Sequence, residues 1–336
     1  MSTQLLISTP CWPKSANDKA NYKNELDINE NSLGKRILVK IAEEDLRETE
    51  SAKVECLKQL KIWIQQNTDI ENCLMDDNFL LRFLRVKKFS IHMAQQTLLK
   101  YLNFRKRFKP FFYELGNNDA KINELLTNGY IYVSPVRDSK GRRVVIYDLS
   151  KFDPKKYTGT DMARAHVMTY EILLMSEENQ ILGVTHVADV RAINASFVTL
   201  FSVTDFATII RWGEQSFPMR HKEIHFINMP QALKYVYDFA KNNMSQKIKE
   251  RIMNHDSKLD LVQKINQRSL PAEFGGDISS KDMICWWKQE VDSKKKRLMA
   301  MDDMNLLSDR GIIRSKNSSK SNPENIIGSF RKLEVD

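Results

Sequence analysis

The chain has 336 residues, 42% of them apolar and 28% charged, enough to bury the cores of two domains, and its 11 glycines and 9 prolines are too few for a fibrous or low-complexity architecture. No apolar run reaches the length of a membrane-spanning helix, and Met1 to Pro13 lack the basic and apolar regions of a secretory leader. With 52 basic against 43 acidic residues the net charge is +9, which suits an anionic partner without choosing between a membrane surface and nucleic acid.

Residues 1–42 are polar, rich in asparagine and weakly periodic, and a flexible N-terminal tail is expected there. From Glu43 onward Leu46, Val54, Leu57, Leu60 and Ile64 recur at helical steps. Asp76 and Asp77 open a second helix that carries Phe79, Leu80, Phe83 and Leu84 on one face, with Arg82 and Arg85 off it. Ser90 can cap a third, striped by Ile91, Ala94, Leu98 and Tyr101. A helical domain over 43–108 follows, interrupted at Lys109-Pro110.

Strands and helices then alternate. Strands are expected at 143–148, 183–189, 223–228 and 252–255, separated by helices at 160–179, 202–213 and 230–243 and followed by one at 258–267. That alternation predicts an α/β domain over 120–280, a sheet with crossover helices. Beyond Trp287, the run Ser293-Lys294-Lys295-Lys296-Arg297 and the Ser/Asn/Lys-rich stretch after it predict a flexible basic tail over 293–336.

Chemistry is announced mostly by its absence. No strand is followed by GxGxxG, and neither GxxxxGK[ST] nor GxSxG occurs, so a nucleotide enzyme or hydrolase is not expected, nor any cofactor. Cys11, Cys56, Cys73 and Cys285 stand alone, without zinc or disulfide spacing, which points to a reducing compartment and no metal. His221 and His225, four apart in a strand, should share a face. Without a third ligand they read as packed imidazoles, as does His166. Asp148 and Asp189 at strand C-termini read as capping residues before catalysts.

Two patterns remain open. The helix from Pro230 is apolar more widely than one sheet face requires (Leu233, Tyr235, Val236, Tyr237, Phe239, Ala240, Met244), as a core helix or as one covering a greasy cavity. The basic groups Lys87-Lys88, Arg220-His221-Lys222 and Lys247 with Arg251 are either solvated faces or parts of one phosphate-binding cleft. Their runs carry no interleaved aromatics, so no nucleic-acid partner is expected.

Several motifs together carry a resemblance. Phe79-Leu80-Leu81-Arg82-Phe83-Leu84-Arg85 with Phe89, Gly141 to Tyr147, Phe152-Asp153-Pro154, Ile224 to Pro230, Lys247 to Arg251, and Leu270-Pro271-Ala272-Glu273-Phe274-Gly275-Gly276 resemble, in order and spacing, the signatures of CRAL-TRIO lipid-binding proteins over residues 45–290. The resemblance implies an α/β fold: a helical N-terminal domain followed by a lipid-binding domain with a mobile lid helix at about 228–244. It implies a non-enzymatic, cytoplasmic monomer that encloses one tocopherol-, retinoid- or phospholipid-like ligand and exchanges it at phosphoinositide-containing membranes. The alternative is a phosphoinositide-binding trafficking adaptor that moves no cargo. Carried over by position, the phosphoinositide cleft is Lys87, Arg220, Lys222, Lys241, Lys247 and Arg251. The pocket is His166, Tyr170, Val184, Phe201, Ile209, Trp212, Phe217, Leu233 and Val236. With Ala163, His166, Tyr170, Ala188 and Thr199 the implied lining is smaller in places and more polar than a tocopherol carrier's.

Overall fold

The computed structural model describes residues 34–231 and 234–313. It opens with α1 (Lys35–Leu46), which begins inside the stretch expected to be a tail over 1–42 and runs into the expected helical domain. Leu38, Ile41, Ala42 and Leu46 give this helix an apolar edge that packs on Ile181 in a small cluster apart from the main core. Four apolar side chains scattered among charged ones are a weak signal in sequence, and only the tertiary partner makes them a helix face. Residues 1–33 lie outside the described residues.

Helix α2 (Glu50–Gln66) is capped by Thr49, whose side chain accepts from the Ala52 N–H, and buries Leu57, Leu60 and Ile64. A two-residue strand, β1 (Ile70–Glu71), leads to α3 (Asp77–Val86), where Asp76 accepts from the Phe79 N–H as expected. Helix α4 (Ile91–Arg107) starts after Ser90, although the serine side chain makes no capping bond. A single turn, α5 (Lys109–Phe112), holds the interrupting proline, and α6 (Ala120–Asn128) ends at Gly129, whose φ of 83° is costly for any residue with a side chain.

The sheet follows. Strand β2 (Ile131–Val133) pairs antiparallel with β3 (Arg143–Asp148). Helices α7 (Gly159–Leu173) and α8 (Glu177–Leu182) cross to β4 (Val184–Asp189), and α9 (Ala195–Val198) and α10 (Val203–Ser216) cross to β5 (His221–Ile227). Next, α11 (Lys234–Asn242) and α12 (Gln246–Lys249) cross to β6 (Ile252–His255), so that β3 to β6 run parallel in the spatial order β2-β3-β4-β5-β6. The helix expected over 160–179 is two helices because Ser176 accepts from the Asn179 N–H and starts the second, with Glu177 and Glu178 in its first turn.

The C-terminal part corrects the expected boundary. After α13 (Lys258–Lys264), helix α14 (Ser280–Met299) runs straight through the lysine cluster, and β7 (Asn305–Leu306) pairs with β1. Trp287, Val291 and Leu298 continue one buried stripe while the lysines point outward, and Met301, Met304 and Leu306 join the main core. Residues 314–336 lie outside the described residues. Before α14, Gly275 adopts φ of 92°, and a Cβ on Gly276 would stand 1.7 Å from the Leu270 carbonyl oxygen, so both glycines of the Pro-Ala-Glu-Phe-Gly-Gly motif are sterically required.

Arg82 and Arg85 lie off the apolar stripe of α3, yet both are buried. Arg82 donates to Glu171 of α7 at 2.8 Å, and Tyr101 donates to the same carboxylate at 2.5 Å. Arg85 pairs with Glu48 at 2.6 Å and Glu177 at 2.9 Å and donates to Gln180. These guanidinium groups fasten the helical domain to the α/β domain. Among the described residues no helix is long and apolar enough to cross a membrane.

Candidate functional site

The register of the sheet sorts its side chains onto two faces. Val145 pairs with His186 and His186 with Ile224, so these three share a face, while Val187 and His225 share the other. Between Val184 and Thr185 the pairing jumps from His221 to Glu223, which makes Lys222 an extra residue on β5. Such a bulge reverses the alternation. His221 therefore lies on the face of His186 and His225 on the opposite one, against the expectation from spacing. His221 bonds His186 at 2.8 Å, and His225 bonds His255 at 2.8 Å, so both imidazoles are hydrogen-bonded in the core. Asp148 holds the Ser150 N–H and hydroxyl, and Asp189 holds Arg191 and Asn228, as capping residues do.

Helices α7 and α11 face the His186 side of the sheet, and α10 stacks against α11 beside them. Tyr170 of α7 lies 6.0 Å from the His186 ring, and Tyr237 of α11 lies 6.0 Å from Phe226 and accepts from Asn254 at 3.3 Å. Phe206 of α10 stacks on Phe239 of α11 at 6.5 Å. In a solidly filled α/β layer the sheet residues beneath these helices would be covered. Here Ile224 and Phe226, and opposite them Met162, Ala163, His166 and Tyr170, remain only partly covered. His166 is nonetheless deep enough that burial pushes its pKa down to about 4. Depth combined with incomplete coverage is what side chains bordering interior space show.

The residues implied for the pocket divide. His166 and Tyr170 border this region, while Phe201 and Ile209 line, with Phe108, Phe111, Thr160 and Asp205, a separate open groove of about 370 Å³ between α5, the start of α7 and α10. Val184 and Phe217 do not face open space: Val184 is sealed in the sheet, and Phe217 fills the domain seam against Tyr101, Phe112 and Tyr170. Trp212 turns to the helical domain, 6.4 Å from Phe108 and beneath Arg107. Leu233 and the Val236 side chain lie outside the described residues.

A hydrogen-bonded run of aromatic groups crosses the same face. Tyr170 bonds Tyr147 at 2.8 Å, Tyr147 bonds His186 Nδ1 at 2.9 Å, and His186 Nε2 bonds His221 Nδ1. Beside it Tyr130 bonds His166 at 2.8 Å. Burial lowers all three imidazoles, His221 to about 4 with Arg251 adding to the shift, so the run is neutral near pH 7. Because the folded pKa of His166 is depressed from 6.5, the unfolded chain takes up the proton first. Its contribution is complete above pH 6.5 and is lost as pH falls toward 4, roughly 3 kcal/mol for His166 alone. Melting temperature should accordingly drop through that window, and a level profile would contradict the burial of His166.

Five of the six implied basic residues interact with one another. Lys247 is depressed by burial and then by the charges of Arg251 and Arg220, and Lys87 by burial and then by Lys100 and Lys247. Burial and then Arg220 bring Lys222 down to about 8. Arg220 donates to the Ile181 carbonyl and Arg251 to that of His221, which fixes both at the His221 end of β5. Lys241 stands apart: its ammonium lies 5.6 Å from the Tyr237 ring, and no recorded interaction among the described residues joins it to the other five. Two anions share the cleft. Glu214 of α10 offsets the charges of Lys87, Lys247 and Arg251, and Asp45 of α1 lies 3.4 Å from Arg220 and 3.6 Å from Lys222.

Residues 127–276 match the CRAL/TRIO domain. The human alpha-tocopherol transfer protein-like protein is 30% identical over 250 residues, which cover 74% of this chain and 72% of that one. This chain belongs to the CRAL-TRIO family. Clavesin-1 of Xenopus laevis is 29% identical over 243 residues, covering 72% of this chain and 73% of its own length. Among solved structures, Sfh5 matches with a TM-score of 0.47 and 13% identity, covering 72% of this chain and 98% of that one. CRAL-TRIO proteins bind hydrophobic lipids. In this CRAL-TRIO chain Asp45, just inside the helical pattern expected from Glu43, was not anticipated in the cleft, nor were Lys100 and Arg142, which add charge to it. Lys100 sits in α4 four residues before the buried Phe104, and Arg142 directly precedes β3, so only their repulsion with the cleft residues reveals them. Among the described residues no group of three or more His, Cys, Asp or Glu side chains is placed to hold a metal ion.

Proposed function

We propose that the chain encloses one hydrophobic molecule between the His186 face of the sheet and α7, α10 and α11, and exchanges it at membranes rich in phosphoinositides. The observation that carries this reading is the set of apolar side chains left partly covered under α7 and α11, with a ring of cations at the adjoining end of β5. Kinship with a tocopherol transfer protein-like relative supports the transfer activity. A ligand burying about 400 Å² of apolar surface gains on the order of 10 kcal/mol before ordering losses, so capture needs no catalytic group.

Release needs a gate whose two states differ by only a few kcal/mol. Helix α11 suits that role, since its described ring contacts are the edge of Tyr237 on Phe226 and the stack of Phe239 on Phe206, and Phe239 is exposed. Phosphate groups relieving the mutual repulsion of Lys87, Lys222, Lys247 and the two arginines supply about 1 kcal/mol per cation near an anionic surface. Movement of a fluorescent lipid between donor and acceptor vesicles tests the reading. Exchange should accelerate when the acceptor carries phosphoinositide. Membrane binding without accelerated exchange would make the protein a trafficking adaptor instead.

A further inference from the structure

We propose, building on the enclosed-ligand reading above, that the cargo is a hydroxyl-bearing hydrophobic molecule whose alcohol group is held by the two open ends of the Tyr170–Tyr147–His186–His221 chain. The argument is one of hydrogen-bond accounting. The two inner members, Tyr147 and His186, are buried, and each spends its bonds within the chain, His186 through both ring nitrogens. The two end members, Tyr170 and His221, are only partly covered. Among the described residues the Tyr170 hydroxyl has no partner besides Tyr147, and His221 Nε2 has none.

Neutral imidazole carries one N–H and one lone pair, so only two polarisations leave no buried proton of the chain unbonded. If Tyr170 donates to Tyr147, the bonds run on through His186 and leave the His221 Nε2–H as an open donor, with the Tyr170 oxygen as an open acceptor. In the reverse sense the Tyr170 O–H is the open donor and His221 Nε2 the open acceptor. Either way the chain ends in one donor and one acceptor, on rings whose centres are 5.8 Å apart. A carbonyl or ether oxygen answers only the donor. Of single oxygen functions, a hydroxyl answers both, and it does so in both senses. Leaving such partly buried groups unpaired against a pure hydrocarbon is costly, which converts the chain into a selectivity device.

The test compares hexadecanol, hexadecyl methyl ether and hexadecane binding to the full-length protein by competition against one fluorescent lipid. The alcohol should bind about tenfold more tightly than the alkane, with the ether between them. Tyr170→Phe should bring the alcohol-to-alkane ratio close to one. If that variant melts early, Tyr147→Phe, which breaks the chain at its buried middle, takes its place in the comparison. Equal binding of all three to the wild type, or a ratio that survives both substitutions, overturns the alcohol site while leaving the enclosed ligand intact. Binding of none of the three overturns the enclosed ligand and the alcohol site with it.

Discussion

Glu171→Ala is expected to cost about 3–5 kcal/mol of stability, the usual penalty for removing one partner of a buried ion pair. Arg82 and Glu171 both have fully buried side chains, 2.8 Å apart. Two further guanidinium nitrogens of Arg82 already lack partners, so removal of the carboxylate would leave a buried cation supported only by the Phe79 ring at 4.8 Å. Tyr101, whose hydroxyl bonds the same carboxylate, would lose its acceptor as well, while Arg105 would keep the Met301 carbonyl and Asp302. The double replacement Arg82→Met with Glu171→Met should cost distinctly less than either single change to alanine, because desolvation of both charges is removed together. Denaturant titration reads both results. A single-variant cost below about 1 kcal/mol would mean that the pair does not join the domains.

Lys247→Ala combined with Arg251→Ala is expected to weaken binding to phosphoinositide vesicles by about tenfold to thirtyfold, at about 1 kcal/mol per cation. Both are depressed by burial and neighbouring positive charge, so an anion is better for them than solvent alone. Arg251 also holds the His221 carbonyl, which makes Lys247→Ala the cleaner single control. Retention of a bound lipid should be unaffected by Lys247→Ala, since Lys247 belongs to the cationic cleft and not to the side chains bordering the interior space. Loss of lipid retention with vesicle binding preserved would reverse the assignment of roles.

The α/β core was legible because its strands are short apolar runs spaced by helices with recognisable caps: the strands at 143–148 and 252–255 are found as expected, and those at 183–189 and 223–228 to within two residues. The basic clusters containing Lys87, Arg220, Lys222, Lys247 and Arg251 read from the residues alone either as solvated faces or as one cleft, and the family resemblance favoured the cleft. What escaped depended on partners distant in sequence. Arg82 and Arg85 look like surface charges until Glu171 and Glu48 arrive to bury them. The bulge at Lys222 has no local marker, yet it decides that His221 joins His186 rather than His225. Helix α1 and the end of α14 are stabilised by contacts with Ile181 and the main core, not by their own periodicity.

The central claim, an interior space that holds one hydrophobic molecule, is tested most directly by native mass spectrometry of the purified protein followed by solvent extraction. The account predicts a chain carrying a single lipid, released on denaturation and recovered in the extract. A mass equal to that of the bare chain, with no lipid extracted and none taken up from added vesicles, would contradict it.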